Sequence, residues 1–531
     1  LQNSLFPLGL VSFYLWEILF MKLILNGQNL TIDHVYQVAY AAKGALNLSI
    51  DPKALVKMKA SRAFVFDIVK KGEPVYGINT GFGALSSKHI EEKDLAQLQL
   101  NLIRSHCTGV GRAFSKEITR AIMLLRANCL ISGFSGVEPS TVQLLLDFLN
   151  EHITPVVPEK GSVGASGDLA PLSHIALALI GEGDVEVDGK IVNSKFAINH
   201  IGKTPAVLGP KDGLALINGT ACMGALGALA VYEAKQIMKL ADIASTLTLD
   251  GVKGTSAAYN PKITALKPHK GQIASVENLN KLIANSPLKE SHPNCGKVQD
   301  PYSLRCVPQV HGACRQTLIH AEDVVATELN AVTDNPLLFV ETGEVISGGN
   351  FHGEALALVM DYLAMGIAEI CNISERRIEK MMNPVFSELP AFLTKSSGLN
   401  SGLMIAHVTA AALVSENKYL CHPASVDSVP TSTDKEDHVS MGVTAGRKLH
   451  EVILNAKSVL AIEFLCNTQA LDFQRPLKSS PPLEAVYTLI RRHVEVIDQD
   501  RIFYKDINNI IKLINSGEIV TAVESSVGVL N

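Results

Sequence analysis

The chain has 531 residues, 47% of them hydrophobic, and a formal net charge of -5. That length supports a large core and two or three domains, and the hydrophobic share excludes wholesale disorder. With no long basic run, the charge argues against nucleic acid and anionic membrane surfaces as partners.

The run from Leu5 to Phe20 is strongly apolar and ends just before Met21-Lys22. It has no basic n-region and no small-residue cleavage site, it contains Glu17, and it is short for a membrane span. Residues 1–20 therefore read as a non-native or upstream leader, with Met21 as the functional start. Nine scattered cysteines, without C-x-x-C, fit reduced thiols in a cytoplasmic protein.

Thr31-Ile32-Asp33 opens an amphipathic segment that runs through Ala42. Asp51-Pro52 is a cap followed by a first-turn proline, and the helix it starts should end near Gly72. A glycine-rich loop, Tyr76 to Gly83, comes next. Helices are expected over Asp94–Cys107, from Ser115 to Gly133, and over Pro139–His152. Hairpins are expected at Val185–Val192, turning at Asp188-Gly189, and at Leu337–Ile346, turning at Thr342-Gly343. Long helical patterns dominate after Asn218: Thr220–Leu249, Gly353–Met382, and Asp434–Asp472 with interruptions at Gly442 and Gly446. The expected fold is mainly α: a long-helix bundle, with a smaller N-terminal domain over 21–228 and the bundle and C-terminal helical region over 229–531. Several of these helices are too apolar to be covered by one chain, which points to an oligomer.

The centre of the sequence is Gly161-Ser162-Val163-Gly164-Ala165-Ser166-Gly167-Asp168-Leu169-Ala170-Pro171-Leu172. It has neither the spacing of a phosphate loop nor that of a nucleophile elbow. With further segments elsewhere, it resembles the signature of the aromatic amino-acid ammonia-lyases, and the resemblance runs from about Met21 to the C-terminus. It implies an aspartase/fumarase-like bundle and an electrophile, 4-methylideneimidazole-5-one (MIO), made from Ala165, Ser166 and Gly167, with no external cofactor. In that chemistry the Gly167 amide nitrogen closes on the Ala165 carbonyl carbon, and Ser166 then loses water. Glycine and alanine place little bulk in the way.

The resemblance also assigns roles to single residues. Tyr76, in Tyr-Gly-x-Asn-Thr-Gly-Phe-Gly, is similar to a base on a flexible lid, for which its surroundings would have to favour the phenolate; read alone, it is equally an aromatic plug. Asn218, in Asn-Gly-Thr, is similar to the asparagine that contacts the MIO ring and substrate, and is also a good helix cap. In Gln299-Asp300-Pro301-Tyr302-Ser303-Leu304-Arg305, Arg305 resembles a clamp on the substrate carboxylate. Tyr302, set with Tyr76 among the catalytic residues, and Gln299 resemble residues that line the ring. Phe351, in Gly-Gly-Asn-Phe-His-Gly-Glu, resembles an aromatic beside MIO, though core packing is the commoner fate of phenylalanine. Glu436 matches a position that resembles the glutamate of the histidine-specific members of the family, and His106 one that is histidine in histidine and tyrosine lyases and apolar in many phenylalanine lyases; a lone glutamate in a charged run is otherwise a surface residue. The resemblance thus implies elimination of ammonia from L-histidine, giving trans-urocanate, in a homotetramer with shared sites. Tyrosine or phenylalanine lyase, or aminomutase, activity on the same fold is the alternative, and a non-enzymatic helical scaffold the third. The 16 histidines show no ligand spacing, so no metal is expected.

Overall fold

In the computed structural model, residues 20–293 and 298–531 are described. The expected leader, apart from Phe20, and Cys295 lie outside these. The described cysteines are free thiols. The fold is mainly α, as expected, and divides into two compact units. The first comprises the chain up to Tyr232, Glu322–Leu358 and Ala424–Arg447; the second comprises Glu233–Ala321, Val359–Pro423 and Lys448–Asn531. This differs from two consecutive domains over 21–228 and 229–531. The first boundary falls close to the expected one, but two later segments return to the first unit, and one of them carries Glu436.

The first unit opens with a parallel pair, Met21–Leu25 beside Leu46–Ile50, registered Met21 to Leu46. A parallel pair needs a crossover, and the helix Ile32–Tyr40 supplies it. The sequence reading missed this pair because its partners are separated by that helix. Thr31 and His34 form a capping box at the helix start. The helix Pro52–Lys71 begins and ends where the sequence dictates. The Asp51 carboxylate accepts from the Lys53 and Ala54 amides at 2.8 and 3.0 Å, and Gly72 closes the helix at φ +73°. The helix Lys116–Ile131 is buried from Thr119 onward and forms the unit's centre. Its Asn128 side chain accepts from the Gly27 amide and donates to the Leu329 carbonyl, at 3.2 and 2.9 Å, tying the first strand region to a returning segment.

Both expected hairpins form: Asp184–Val187 with Lys190–Asn193, and Leu337–Phe339 with Glu344–Ile346. Asp188 and Gly189 have φ of +50° and +77°, the pair of left-handed residues that a two-residue turn needs. Two further strand pairings were not expected: Thr154–Pro155 joins the first hairpin, and Val110–Ala113 pairs with Pro158–Lys160.

The second unit is helical. Two of its buried charge clusters are internally paired, as burial favours. Asp242 accepts from His311 Nδ1 at 2.7 Å, Arg315 Nη2 at 2.6 Å and Asn278 Nδ2 at 2.9 Å. Arg377 grips Glu463 through two bonds of 2.6 and 2.9 Å, with both side chains fully buried.

One helix expectation is corrected. The last long helix spans Gly442–Gln474 rather than beginning at Asp434. Ser432, Thr433, Asp434 and Met441 all have positive φ, which breaks a right-handed helix, whereas Gly446 sits inside it without interruption. Glu436 is therefore a loop residue.

Candidate active site

The loop Gly161–Asp168 joins the strand Pro158–Lys160 to the helix Leu169–Leu179. Upstream, Glu159 is buried and ion-paired with Arg112 at 2.9 Å and Arg447 at 3.0 Å. Within the loop, the Val163 carbonyl accepts from the Met441 amide at 2.9 Å, and the Gly164 carbonyl from Ser440 Oγ at 3.3 Å. At its far end the Asp168 amide donates to the Gly219 carbonyl at 2.8 Å. The Asp168 carboxylate is fully buried and accepts from the Cys222 and Met223 amides at 2.8 and 3.0 Å. It thereby caps the helix Ala221–Gly251 from outside that helix's own chain segment. Burial pushes its carboxyl up to about 7, opposed by these amides and by Ser162 Oγ at 3.2 Å.

Gly167 pairs with Gly219 as an isolated parallel bridge at φ +73°, and a Cβ on it would land on the Gly219 carbonyl. Gly167→Ala is therefore expected to destabilise the protein by roughly 2 kcal/mol or more. Denaturant unfolding measures this; a variant as stable as the parent would mean that the close approach is not needed.

A cavity of about 260 Å³ opens over this loop, lined by Ala165, Ser166, Gly167, His106, Ser432 and Glu436 among others. Ser166 Oγ donates to Glu436 Oε1 at 2.7 Å. Glu436 Oε2 accepts from Thr431 Oγ1 at 2.6 Å and from Ser432 Oγ at 3.0 Å. His106 ends the helix Leu95–His106, and its Nδ1 lies 2.8 Å from the Leu102 carbonyl. That contact makes Nδ1 the protonated nitrogen and leaves Nε2 of the neutral ring as an acceptor. Burial lowers the His106 pKa, against the Leu102 bond and the Glu436 charge.

Tyr76 stands on a turn whose next residues are packed down. Ile78 is buried with Val65, Ile68 and Leu95, and Asn79 braces the turn through the Val75 amide at 2.7 Å and the Glu73 carbonyl at 2.9 Å. Burial raises the Tyr76 pKa, a bond to the Gly83 backbone lowers it, and the charges of Glu436 and Asp334 raise it further. These surroundings disfavour the phenolate, the reverse of what a base at this position was expected to need.

Asn218 is buried; its Nδ2 donates to the Asn335 carbonyl at 3.0 Å, and its Oδ1 has no partner. A buried acceptor left open next to Gly219, opposite Gly167, suits a donor on a bound group. Phe351 is half-buried, two residues ahead of Gly353, where a side chain would collide with Met223. Gln299, Tyr302 and Arg305 belong to the second unit. There the Arg305 guanidinium stacks on the Tyr302 ring at 4.5 Å and donates to the Asp300 carbonyl at 3.1 Å, while Tyr302 is 69% exposed.

The residues with roles at this site that sequence reasoning missed are Asp168, Thr431, Ser432 and Ser440. Asp168 lies inside the central motif, which is a signal for it; the other three carry no local signal. The fold also brings His438 to His352 and Glu354, so that one ligand atom from each lies within 4.8 Å of the others. His352 Nε2 lies 3.2 Å from the His438 carbonyl, which commits that nitrogen as a donor.

A model of the aromatic amino acid lyase family matches residues 30–492. The chain is 47% identical over 505 residues to the histidine ammonia-lyase of Myxococcus xanthus, covering 95% of this chain and 99% of that protein. It is 48% identical over 498 residues to the histidine ammonia-lyase of Caldanaerobacter subterraneus, covering 94% of this chain and 97% of that protein. Among solved structures it is similar to histidine ammonia-lyase from Trypanosoma cruzi, with a TM-score of 0.89, 44% identity and 95% of each chain covered. It is also similar to a tyrosine aminomutase from Streptomyces globisporus, with a TM-score of 0.91, 36% identity, and coverage of 96% of this chain and 100% of that one. The chain belongs to the aromatic amino acid lyase family and is a carbon–nitrogen lyase.

Proposed function

We propose that this chain eliminates ammonia from L-histidine to give trans-urocanate, as a cytoplasmic homotetramer. The observation that carries the reading is the Glu436 carboxylate, held by Thr431 and Ser432 in the cavity that contains Ser166 and His106. A carboxylate lining a substrate cavity needs a donor from its ligand, and an imidazole N–H supplies one where a phenyl ring cannot. MIO formed from Ala165, Ser166 and Gly167 would supply the electrophile that makes the substrate amine a leaving group. The open Oδ1 of Asn218 and the side-chain-free approach of Gly167 to Gly219 suit that group.

The chain's own residues then have distinct tasks. Glu436 orients the imidazole, and neutral His106 offers Nε2 as a further acceptor. Tyr76 takes the β-proton. Its raised pKa implies that kcat/KM for L-histidine rises with pH into the alkaline range, since the free enzyme must first lose the phenolic proton. Because the Glu436 charge helps hold that proton on, Glu436→Gln is expected to move the rising limb to lower pH. A pH profile of both proteins tests this, and a limb that stays in place would remove Tyr76 from the role.

Arg305, Tyr302 and Gln299 are assigned to the site of a neighbouring subunit, with Arg305 as the carboxylate clamp. In the second unit the exposed apolar residues Tyr362 and Met365 share a helix face at i and i+3, as do Ile405 and Val408, which supports assembly. Tyr76→Phe and Arg305→Ala proteins are each expected to be nearly inactive, and to recover activity when mixed under conditions that exchange subunits. Light scattering showing an active monomer, or no recovery on mixing, would count against shared sites.

A further inference from the structure

We propose that Glu436 carries the proton in the dehydration of Ser166, so that one carboxylate first helps to build the electrophile and then receives the substrate. The inference rests on the reading that Ala165-Ser166-Gly167 becomes MIO. In the chain as encoded, Ser166 Oγ points at Glu436 Oε1 from 2.7 Å. The other oxygen is fixed by two hydroxyl donors, Thr431 at 2.6 Å and Ser432 at 3.0 Å. Thr431 and Glu436 also pair through their backbones in both directions, at 3.0 and 3.4 Å, which closes a tight loop. Three of the four residues in the turn of that loop, Ser432, Thr433 and Asp434, have φ of +50°, +52° and +62°. None is glycine and Thr433 is β-branched, so each position costs on the order of 1–3 kcal/mol. A carboxylate with only a solvated role has no need of so strained a mount. This one is held at a fixed place relative to the serine hydroxyl.

The chemistry balances on these residues. Ring closure places the Ser166 Cα between a carbonyl and an imine-type nitrogen, which acidifies its C–H bond. Glu436 accepts that proton, and the C–H electrons form the Cα=Cβ bond as the Cβ–Oγ bond breaks. Glu436 returns the proton to the departing oxygen, which already carries its own hydrogen, and water leaves. The carboxylate is regenerated, and no oxidant, reductant or further reactant is needed. The step has a second result: Oε1 loses the hydroxyl that occupied it and becomes free to accept the substrate's N–H. Serine therefore fills the recognition point until the electrophile exists.

The test is a mass time course on the peptide containing Ser166, from freshly purified full-length protein. Wild-type protein is expected to lose two waters. Glu436→Gln keeps the shape and an acceptor but cannot carry a proton, and it is expected to lose the second water about a hundredfold more slowly. Glu436→Ala should be equally slow and should be accelerated by added formate, which restores a carboxylate without restoring the side chain. Loss of both waters at the wild-type rate in either variant overturns the proposal, as does a slow Glu436→Ala that formate leaves unchanged. If either variant fails to fold by circular dichroism, Thr431→Val takes its place, because it loosens Oε2 and keeps the carboxylate. A slowing of about tenfold is then expected, and no slowing overturns the proposal. Wild-type protein that retains its encoded mass would instead overturn the MIO reading itself.

Discussion

Ser166→Ala is expected to fold and to lose at least about three orders of magnitude in turnover, equivalent to about 4 kcal/mol of barrier. The mutation removes one hydroxyl from a half-buried position and its bond to Glu436, which costs about 1 kcal/mol of stability at most. The chemical loss is larger because no other group can become the methylidene. Without it the substrate amine remains a poor leaving group, however well Tyr76 and Glu436 are placed. Two measurements separate the effects: thermal unfolding, which should change little, and turnover of L-histidine followed by ultraviolet absorbance. Undiminished turnover by the purified variant would end the MIO assignment.

The second large effect concerns substrate choice. L-Histidine is expected to be preferred over L-phenylalanine by roughly 10⁴-fold in kcat/KM, because a phenyl ring would leave the Glu436 oxygen unpaired inside the cavity. Glu436→Ala should lower kcat/KM for histidine roughly a hundredfold per mole of matured protein, the scale of a charge-assisted hydrogen bond. The loss for phenylalanine should be much smaller, since that substrate never used the bond. Normalising to matured protein matters, because the same residue is assigned a part in making the electrophile. Efficient turnover of phenylalanine or tyrosine by the unmutated protein, with none of histidine, would leave only the broader ammonia-lyase activity.

Much of the local architecture was legible because its causes are local. Asp51 and Gly72 bound a helix through a side-chain cap and a left-handed closing residue, and Asp188-Gly189 sets a hairpin by backbone conformation alone. The parallel pair of Met21–Leu25 with Leu46–Ile50 was not legible, since each strand is short and its partner lies beyond a helix. Nor was the loop that carries Glu436: its apolar neighbours fit a helical period, and only a tertiary mount accounts for three successive left-handed residues. The site was half legible. The motif identified the loop, but Thr431 and Ser432 are ordinary turn residues until the fold sets them against a carboxylate. Gln299, Tyr302 and Arg305 matched a motif, yet they fall in the other unit, so a match of sequence alone could not say how they meet the rest.

The clamps on the central loop also set a timetable for synthesis. Its first half is held by Ser440 and Met441, and the contact from Ser440 to Gly164 spans 276 residues. A ribosome adding 5–20 residues per second makes that stretch in roughly 15–55 seconds. Throughout that interval the loop exists without its upper restraint, and for all but its last few residues Glu436 has not been made. A nascent chain stopped short of residue 440 thus has Ala165, Ser166 and Gly167 but lacks the Ser440 and Met441 clamps on the first half of their loop. On the proposed MIO reading, the electrophile then forms only after synthesis has passed residue 441, which spares the translation machinery a reactive group on an unfinished product.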